Sequence, residues 1–263
     1  MHCWKKVLGL GVVAMGLATG SAQAGTVNIA DNYIGGWDGS NPRDSIGGSN
    51  YNIHNMTVNR TGSLMTVKIY TNFVDHNNRS TGNYHDYGDL FMSVKSSGDS
   101  AAWTPYGSAP YKYDHFYKSS STTWEYAYDL NGARNDRGSF TDNSSARLVQ
   151  VTNPDSSSSF SFGSARSGKQ IIMVRSGTVL NANKTHQVQA NTSDDYLKMV
   201  FDVSGTSLAT ASQIAFRWQM TCANDIIEGV AHFGSSVSEP AVAALTLVGL
   251  TGLGAMRRRK KVA

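Results

Sequence analysis

The stretch "LMTVKIYTNF", residues 64–73, places Met65, Val67, Ile69 and Phe73 on one side of an extended chain. An apolar period of two marks a strand with one face buried and the other in water. The same alternation recurs in three further stretches. "WEYAYDL" (124–130) aligns Trp124, Tyr126, Tyr128 and Leu130, and "YLKMVFDV" (196–203) aligns Leu197, Met199, Phe201 and Val203. "QIAFRWQM" (213–220) aligns Ile214, Phe216, Trp218 and Met220. Shorter runs at 26–33, 52–58, 90–94, 147–152 and 171–174 bring the expected set to nine or ten strands. No long stretch between the two ends repeats apolar residues at 3.6, and glycine, asparagine and serine fill the gaps as turns require. The pattern predicts an all-β fold: a single antiparallel β-sandwich domain, jelly-roll-like, over residues 25–236. A body of about 210 residues fits one such domain. The low-complexity segment 153–168, "NPDSSSSFSFGSARSG", reads as a long surface loop between strands.

The ends differ from the body. Lys5 and Lys6 precede an apolar run at 7–19, and "SAQA" sets Ala22 and Ala24 just before Gly25. A basic start, a short apolar run and an A-x-A site make a signal peptide, residues 1–24, cut after Ala24 by signal peptidase during export. At the other end, Val237, Ser238, Glu239 and Pro240 lead into an uncharged stretch, 241–256, closed by Arg257, Arg258, Arg259, Lys260 and Lys261. As a helix that stretch would span about 24 Å, against a hydrocarbon core near 30 Å, and the cations can snorkel to hold its end at an anionic cytoplasmic surface. Residues 237–263 therefore read as a motif, a hydrophobic transmembrane helix and a basic stop.

Charge must be counted without these segments. The whole chain is +4, but residues 25–236 hold 16 Lys+Arg against 18 Asp+Glu, a net of −2. The electrostatic footprint of a nucleic-acid binder is missing. Cys222 is the one cysteine of the body, so no internal disulfide forms there, and a buried thiol in the packed core is the expected state.

The tail resembles the PEP-CTERM sorting signal of Gram-negative bacteria, with Glu239-Pro240, "LVGLTGLGAM" and "RRRKK" in the family's order. The family's usual opening is Val-Pro-Glu-Pro, and Ser238 replaces its first proline. The resemblance implies removal of the tail by an exosortase-type membrane protease after transient anchoring in the inner membrane. It also implies delivery to the cell surface or the extracellular (biofilm) matrix, with exopolysaccharide as a candidate partner. In the body, "DSIGGSNYNIHNMTVNRTGSLMTVKIYTNF", "YGDLF" and "FRWQMTCANDIIEG" resemble a recurrent group of exosortase-dependent surface proteins with a loosely DOMON-like β-sandwich. There the last stretch usually reads M-T-C-G-N-D-x-I-E-G, and Ala223 stands here in place of the glycine. This second resemblance implies a fold and a destination but no reaction.

Motifs of catalysis are missing: no H-E-x-x-H, G-x-S-x-G, P-loop or C-x-x-C occurs. Glu125 and Glu228 are the only glutamates of the body, and nothing in the spacing pairs Glu125 with Glu228 or Asp225 as glycosidase carboxyls. His76 and His85 flank a loop-like stretch and read as solvated. Three polar clusters offer hard oxygen ligands of the kind Ca²⁺ takes. These are Asp38, Asn41 and Asp44 around a turn, Asp86 and Asp89 before a strand, and Asn224, Asp225 and Glu228 after one. The same residue types also mark turns and strand ends for backbone reasons alone. In "PYGSAPYKYDHFYK", Tyr106, Tyr111, Tyr113 and Tyr117 supply rings that can stack on sugars, or else line the core. Two functions follow as expectations. The first is an exported, non-catalytic surface or matrix protein with a glycan- or calcium-binding face. The alternative is a secreted carbohydrate-active enzyme on a sandwich scaffold.

Overall fold

The protein is represented by a computed structural model that describes residues 25–36, 43–76, 85–94, 101–118, 121–130, 146–166 and 169–233. Thirteen strands lie among them: β1 (Val27–Ala30), β2 (Ile53–Thr61), β3 (Leu64–Thr71), β4 (Leu90–Val94), β5 (Tyr126–Asp129), β6 (Arg147–Val151), β7 (Phe160–Gly163), β8 (Gln170–Val174), β9 (Gly177–Leu180), β10 (His186–Asn191), β11 (Tyr196–Asp202), β12 (Gln213–Gln219) and β13 (Ile226–His232). They form a five-stranded sheet in the order β1-β2-β3-β11-β10 and a six-stranded sheet in the order β13-β12-β4-β5-β6-β9, with β7-β8 as a separate hairpin. Every pairing is antiparallel. The expected all-β antiparallel sandwich is what forms. Among the described residues no helix is long and apolar enough to cross a membrane. The signal peptide, with Ala22 and Ala24, and the sorting segment 237–263 lie outside those residues.

The alternation in the founding stretch is real. Met65, Val67 and Ile69 of β3 are fully buried, and so are Leu197, Met199 and Phe201 of β11, which pairs with β3 in register from Tyr196↔Tyr70 to Asp202↔Leu64. Phe73 departs from the reading: it is buried, but in a single helical turn (Phe73–His76) that follows the strand. In β2 the buried face changes parity, from Ile53 to Met56 and Val58, because the register slips between Ile53 and Asn55. One extra residue in a bulge turns every later side chain to the other face. A two-residue turn joins β2 to β3, and Gly62 supplies its φ of +60° at the first central position.

The main core lies between the two sheets. Ile214, Phe216 and Trp218 of β12, with Tyr126 and Tyr128 of β5, face the β3 and β11 residues, and Tyr128 stacks on Phe201 at 4.3 Å and 16°. The second face of the six-stranded sheet is where the structure departs from the sequence reading. It is covered rather than solvated: β4, β5 and nearly all of β12 and β13 are buried residue by residue. A second cluster on that face joins Phe91, Trp124, Ala127, Val151 and Ala215 to Phe160 and Ile171 of the β7-β8 hairpin. Trp124, expected on the same face as Tyr126, belongs to this outer cluster. The low-complexity segment is therefore no plain loop: it contains β7, buries Phe160 and Arg166, and helps cover the sheet. Close packing fixes the hairpin. Gly88 donates its N–H to the Gln219 carbonyl, Asp89 donates to the Ile172 carbonyl, and a Cβ on Gly88 would collide with both carbonyl oxygens.

Candidate functional site

Three aspartates converge at the end of the sandwich where β1 lies beside β13. Asp31 directly follows β1, Asp225 directly precedes β13, and Asp44 comes from the loop that donates Ile46 N–H to the Asn224 carbonyl at 2.8 Å. One carboxylate oxygen from each lies within 4.8 Å of those of the other two. Asp225 is accounted for by backbone: Oδ2 accepts from Ile53 N–H at 2.7 Å and Oδ1 from Ile226 N–H at 2.8 Å, tying the starts of β2 and β13 together. The others are not. Both carboxylate oxygens of Asp31 and the Oδ1 of Asp44 are sealed from solvent with no hydrogen-bond partner. Burial, then the Asp225 and Asp44 charges, push the Asp31 carboxyl up to about 9. Burial pushes Asp225 up to about 7 against the pull of its backbone donors, and it raises Asp44 as well.

One cation sits beside them. Arg166 is buried, with Nη2 at 3.7 Å from Asp225 Oδ1. Its hydrogen bonds, however, go to carbonyls: Nε to Ala223, Nη1 to Ile34, Gly35 and Arg43, and Nη2 to Asn224. The arginine staples three loops and leaves the orphaned oxygens unpaired. Fully ionised, three carboxylates against one guanidinium would leave two negative charges, and buried charge without a partner is so expensive that the ion-free fold holds protons on these carboxyls instead. A divalent cation would supply both the charge and the missing bonds, and Ca²⁺, which takes six to eight oxygens in flexible geometry, suits a site of aspartates. The chain turns sharply here: Ala223, where the resembling group carries glycine, has a φ of +60°.

The site combines two of the expected calcium residues, Asp44 and Asp225, beside the backbone of Asn224, and adds Asp31. Sequence reading had absorbed Asp31 into the strand at 26–33, where a polar residue passes for the solvated face. Asp38 and Asn41 lie outside the described residues. Asp89 is fully buried elsewhere, where Oδ1 accepts Leu130 N–H at 3.0 Å and Oδ2 accepts Val174 N–H at 2.8 Å, clamping β8 to the end of β5. Asp86 is joined to Thr221 through its backbone. Glu228 belongs to a different cluster. The side chain of His76 lies outside the described residues, as do Val237, Ser238, Glu239, Pro240 and Arg257, Arg258 and Arg259. Cys222 is a buried free thiol, raised to about 11 by burial.

Glu228 sits on the covered face of β13, directly opposite Arg217 of β12. The two form a buried ion pair, Arg217 Nη2 donates to Gln170 Oε1, and Trp103 Nε1 donates to the other Glu228 oxygen at 2.9 Å. Tyr33 Oη donates to Asp114 Oδ2 at 2.9 Å, and Ser121 Oγ donates to Asp114 Oδ1 at 2.7 Å. Burial pushes the Glu228 carboxyl up to about 7 against the Arg217 charge. Tyr33, Asp114, Ser121, Gln170, Arg217 and Glu228 line a cavity of about 20 Å³, with His115, Phe116 and Lys169 at its wall. It has room for one water molecule. Glu125, the other glutamate considered for catalysis, holds its Oε2 on Val94 N–H at 2.8 Å, away from this pair.

The four tyrosines part company. Tyr111 is half-buried against Tyr33 and Trp103, at centroid distances of 5.9 and 5.2 Å. Tyr106, Tyr113 and Tyr117 are exposed, at 38, 53 and 57 %. Comparison of the chain with protein-family models, curated proteins and solved structures finds no match.

Proposed function

We propose that the chain is an exported, non-catalytic protein of a Gram-negative cell surface or extracellular matrix. Its sandwich is pinned by Ca²⁺, and its tyrosine loop is a glycan-binding face. The carrying observation is the trio Asp31, Asp44 and Asp225, with three buried carboxylate oxygens that no protein group satisfies. The ion would be held by these three side chains and would supply structure rather than reaction chemistry. It joins the chain after β1 to the start of β13, and through Asp225 to the start of β2. Export rests on the signal-like start and on the tail that resembles an exosortase substrate.

The non-catalytic part is supported by the second polar cluster. A glycosidase needs two carboxyls about 5–9.5 Å apart facing a sugar. Glu228 and Asp114 instead take their bonds from Arg217, Trp103, Tyr33 and Ser121, around a space far smaller than a pyranose. Incubation of the full-length protein with neutral and acidic polysaccharides tests this by release of reducing ends. No turnover is expected, and sustained turnover by the wild-type chain would put the enzyme reading first.

A further inference from the structure

The geometry points to an acidic polysaccharide as the partner of the tyrosine loop, a narrower identification that rests on the glycan-binding face proposed above. Of five exposed large apolar side chains among the described residues, three are the tyrosines at 106, 113 and 117. Two of them belong to a continuous strip. Lys118 Nζ lies 4.7 Å over the Tyr106 ring, the neighbouring Tyr117 ring stacks on Phe162 at 6.4 Å and 25°, and Lys169 Nζ lies 5.7 Å over Phe162. Rings and ammonium groups thus alternate along one surface built by the loop and by the β7-β8 hairpin. Phe116, packed on Phe160 and Phe162 from below, fixes the strip to the hairpin.

Charge selects the ligand. Asp114 is the one carboxylate between residues 101 and 118, and it is turned inward, buried on Tyr33 and Ser121. The cations of this surface are the exposed Lys169 and the half-buried Lys118, with Lys112 in the same loop, on a body whose net charge is −2. A local cationic surface on an acidic protein attracts a polyanion to that place. Rings of tyrosine can cover the apolar faces of sugars while their hydroxyls and the lysines meet hydroxyl and carboxylate groups. A bilayer is favoured less, because no leucine, isoleucine, phenylalanine or tryptophan is exposed in the loop to enter acyl chains. Nucleic acid is favoured less, because three lysines on a negative body fall short of a phosphate-tracking stripe.

The test is affinity electrophoresis of the full-length chain in mild detergent, with hyaluronate or dextran in the gel, alongside flotation with phosphatidylglycerol vesicles. Hyaluronate is expected to retard the protein and dextran to leave it unretarded. Substituting Lys118→Gln and Lys169→Gln together should weaken retention by about tenfold, as should raising salt until the Debye length shrinks to about 3 Å. Lys169 is exposed and Lys118 half-buried, and an unchanged thermal midpoint will show that the variant is folded. Equal retardation by the two gels would overturn the acidic choice and leave the glycan face standing. Retardation by neither would defeat both. Hyaluronate binding undiminished in the double variant would place the site elsewhere, and flotation without hyaluronate binding would make a membrane the partner.

Discussion

Withholding calcium from the proposed Asp31–Asp44–Asp225 site is the perturbation that most directly tests that reading of the sandwich. Extracellular calcium modules bind with dissociation constants of about 10⁻⁴–10⁻³ M. At the tighter end, about 10 mM Ca²⁺ is a hundredfold excess and stabilises the folded state by about 2.7 kcal/mol. For a domain of this size each kcal/mol moves the thermal midpoint by about 2–4 °C, so chelation should lower it by about 5–11 °C. The pH dependence has a definite sign. In the fold, Asp31 titrates at about 9 and Asp225 at about 7, against an ordinary value of 3.8. Without the ion the folded protein holds more protons than the unfolded chain across that window, so its stability falls as pH rises from about 4 through 9. Calcium must displace those protons, and its effect should grow from pH 5 to pH 8. Calorimetry of the full-length chain with Ca²⁺ or EDTA at both pH values reads both trends. Asp31→Asn sharpens the test: losing one of three crowded carboxylates should raise the midpoint in EDTA and abolish the response to calcium. A wild-type midpoint indifferent to calcium at pH 8, or an equal response in Asp31→Asn, would refute the site.

Glu228→Gln leaves the buried Arg217 without its full counter-charge and is expected to cost about 3–5 kcal/mol, read as a fall in the urea midpoint. A cost below about 1 kcal/mol would mean that the pair is not formed as described. Gly88→Ala drives a methyl group between the Gln219 and Ile172 carbonyls, backbone that cannot swing aside, and should cost about 1–3 kcal/mol or more by the same measurement. Hydrogen exchange should show β8 and residues 101–118 opening below the global unfolding free energy while β3 and β11 open only with it. Equal protection of all four would contradict the layered packing.

The sandwich was legible where one face meets water. β3 alternates cleanly, and β11 does so except at Val200, because their second face carries Lys68, Tyr70, Lys198 and similar residues, so parity identifies them. β13 was missed for the opposite reason: "IIEGVAH" is buried on both faces, and a strand covered on two sides has no period to read. β9 and β10 were missed because they offer too little. Val188 is the only buried residue of β10, and β9 has none. In β12 the period of two identifies the core face, but Arg217 and Gln219, which fall between the core residues and so match a solvated face by parity, are buried under the hairpin. The aspartate site was half legible. Asp44 and Asp225 stood out as turn-associated acids, whereas Asp31 looked like one polar residue in an alternating strand, and only the tertiary approach of β1 to β13 shows its role.

The two polar clusters follow from the same shortage. Among the described residues the main core draws on thirty-two buried side chains, whereas the outer cluster under the hairpin has eight. Three of those eight are alanines, so the cluster buries little apolar area with which to seat a hairpin and a long loop against the entropy of ordering their backbone. Directional bonds supplement that packing: Gln170 bridges Arg217 to the Asp114 carbonyl, Asp89 holds Val174, and Arg166 gathers carbonyls from the β1–β2 and β12–β13 connections. Such bonds fix position more than they add stability, because each nets about 1 kcal/mol while a missing partner costs more. A cover attached this way holds one geometry or loosens as a unit. That is the mechanical requirement of the proposed glycan surface, which would present tyrosines and lysines at fixed spacing, and it places the rigidity of that strip in the buried residues beneath it.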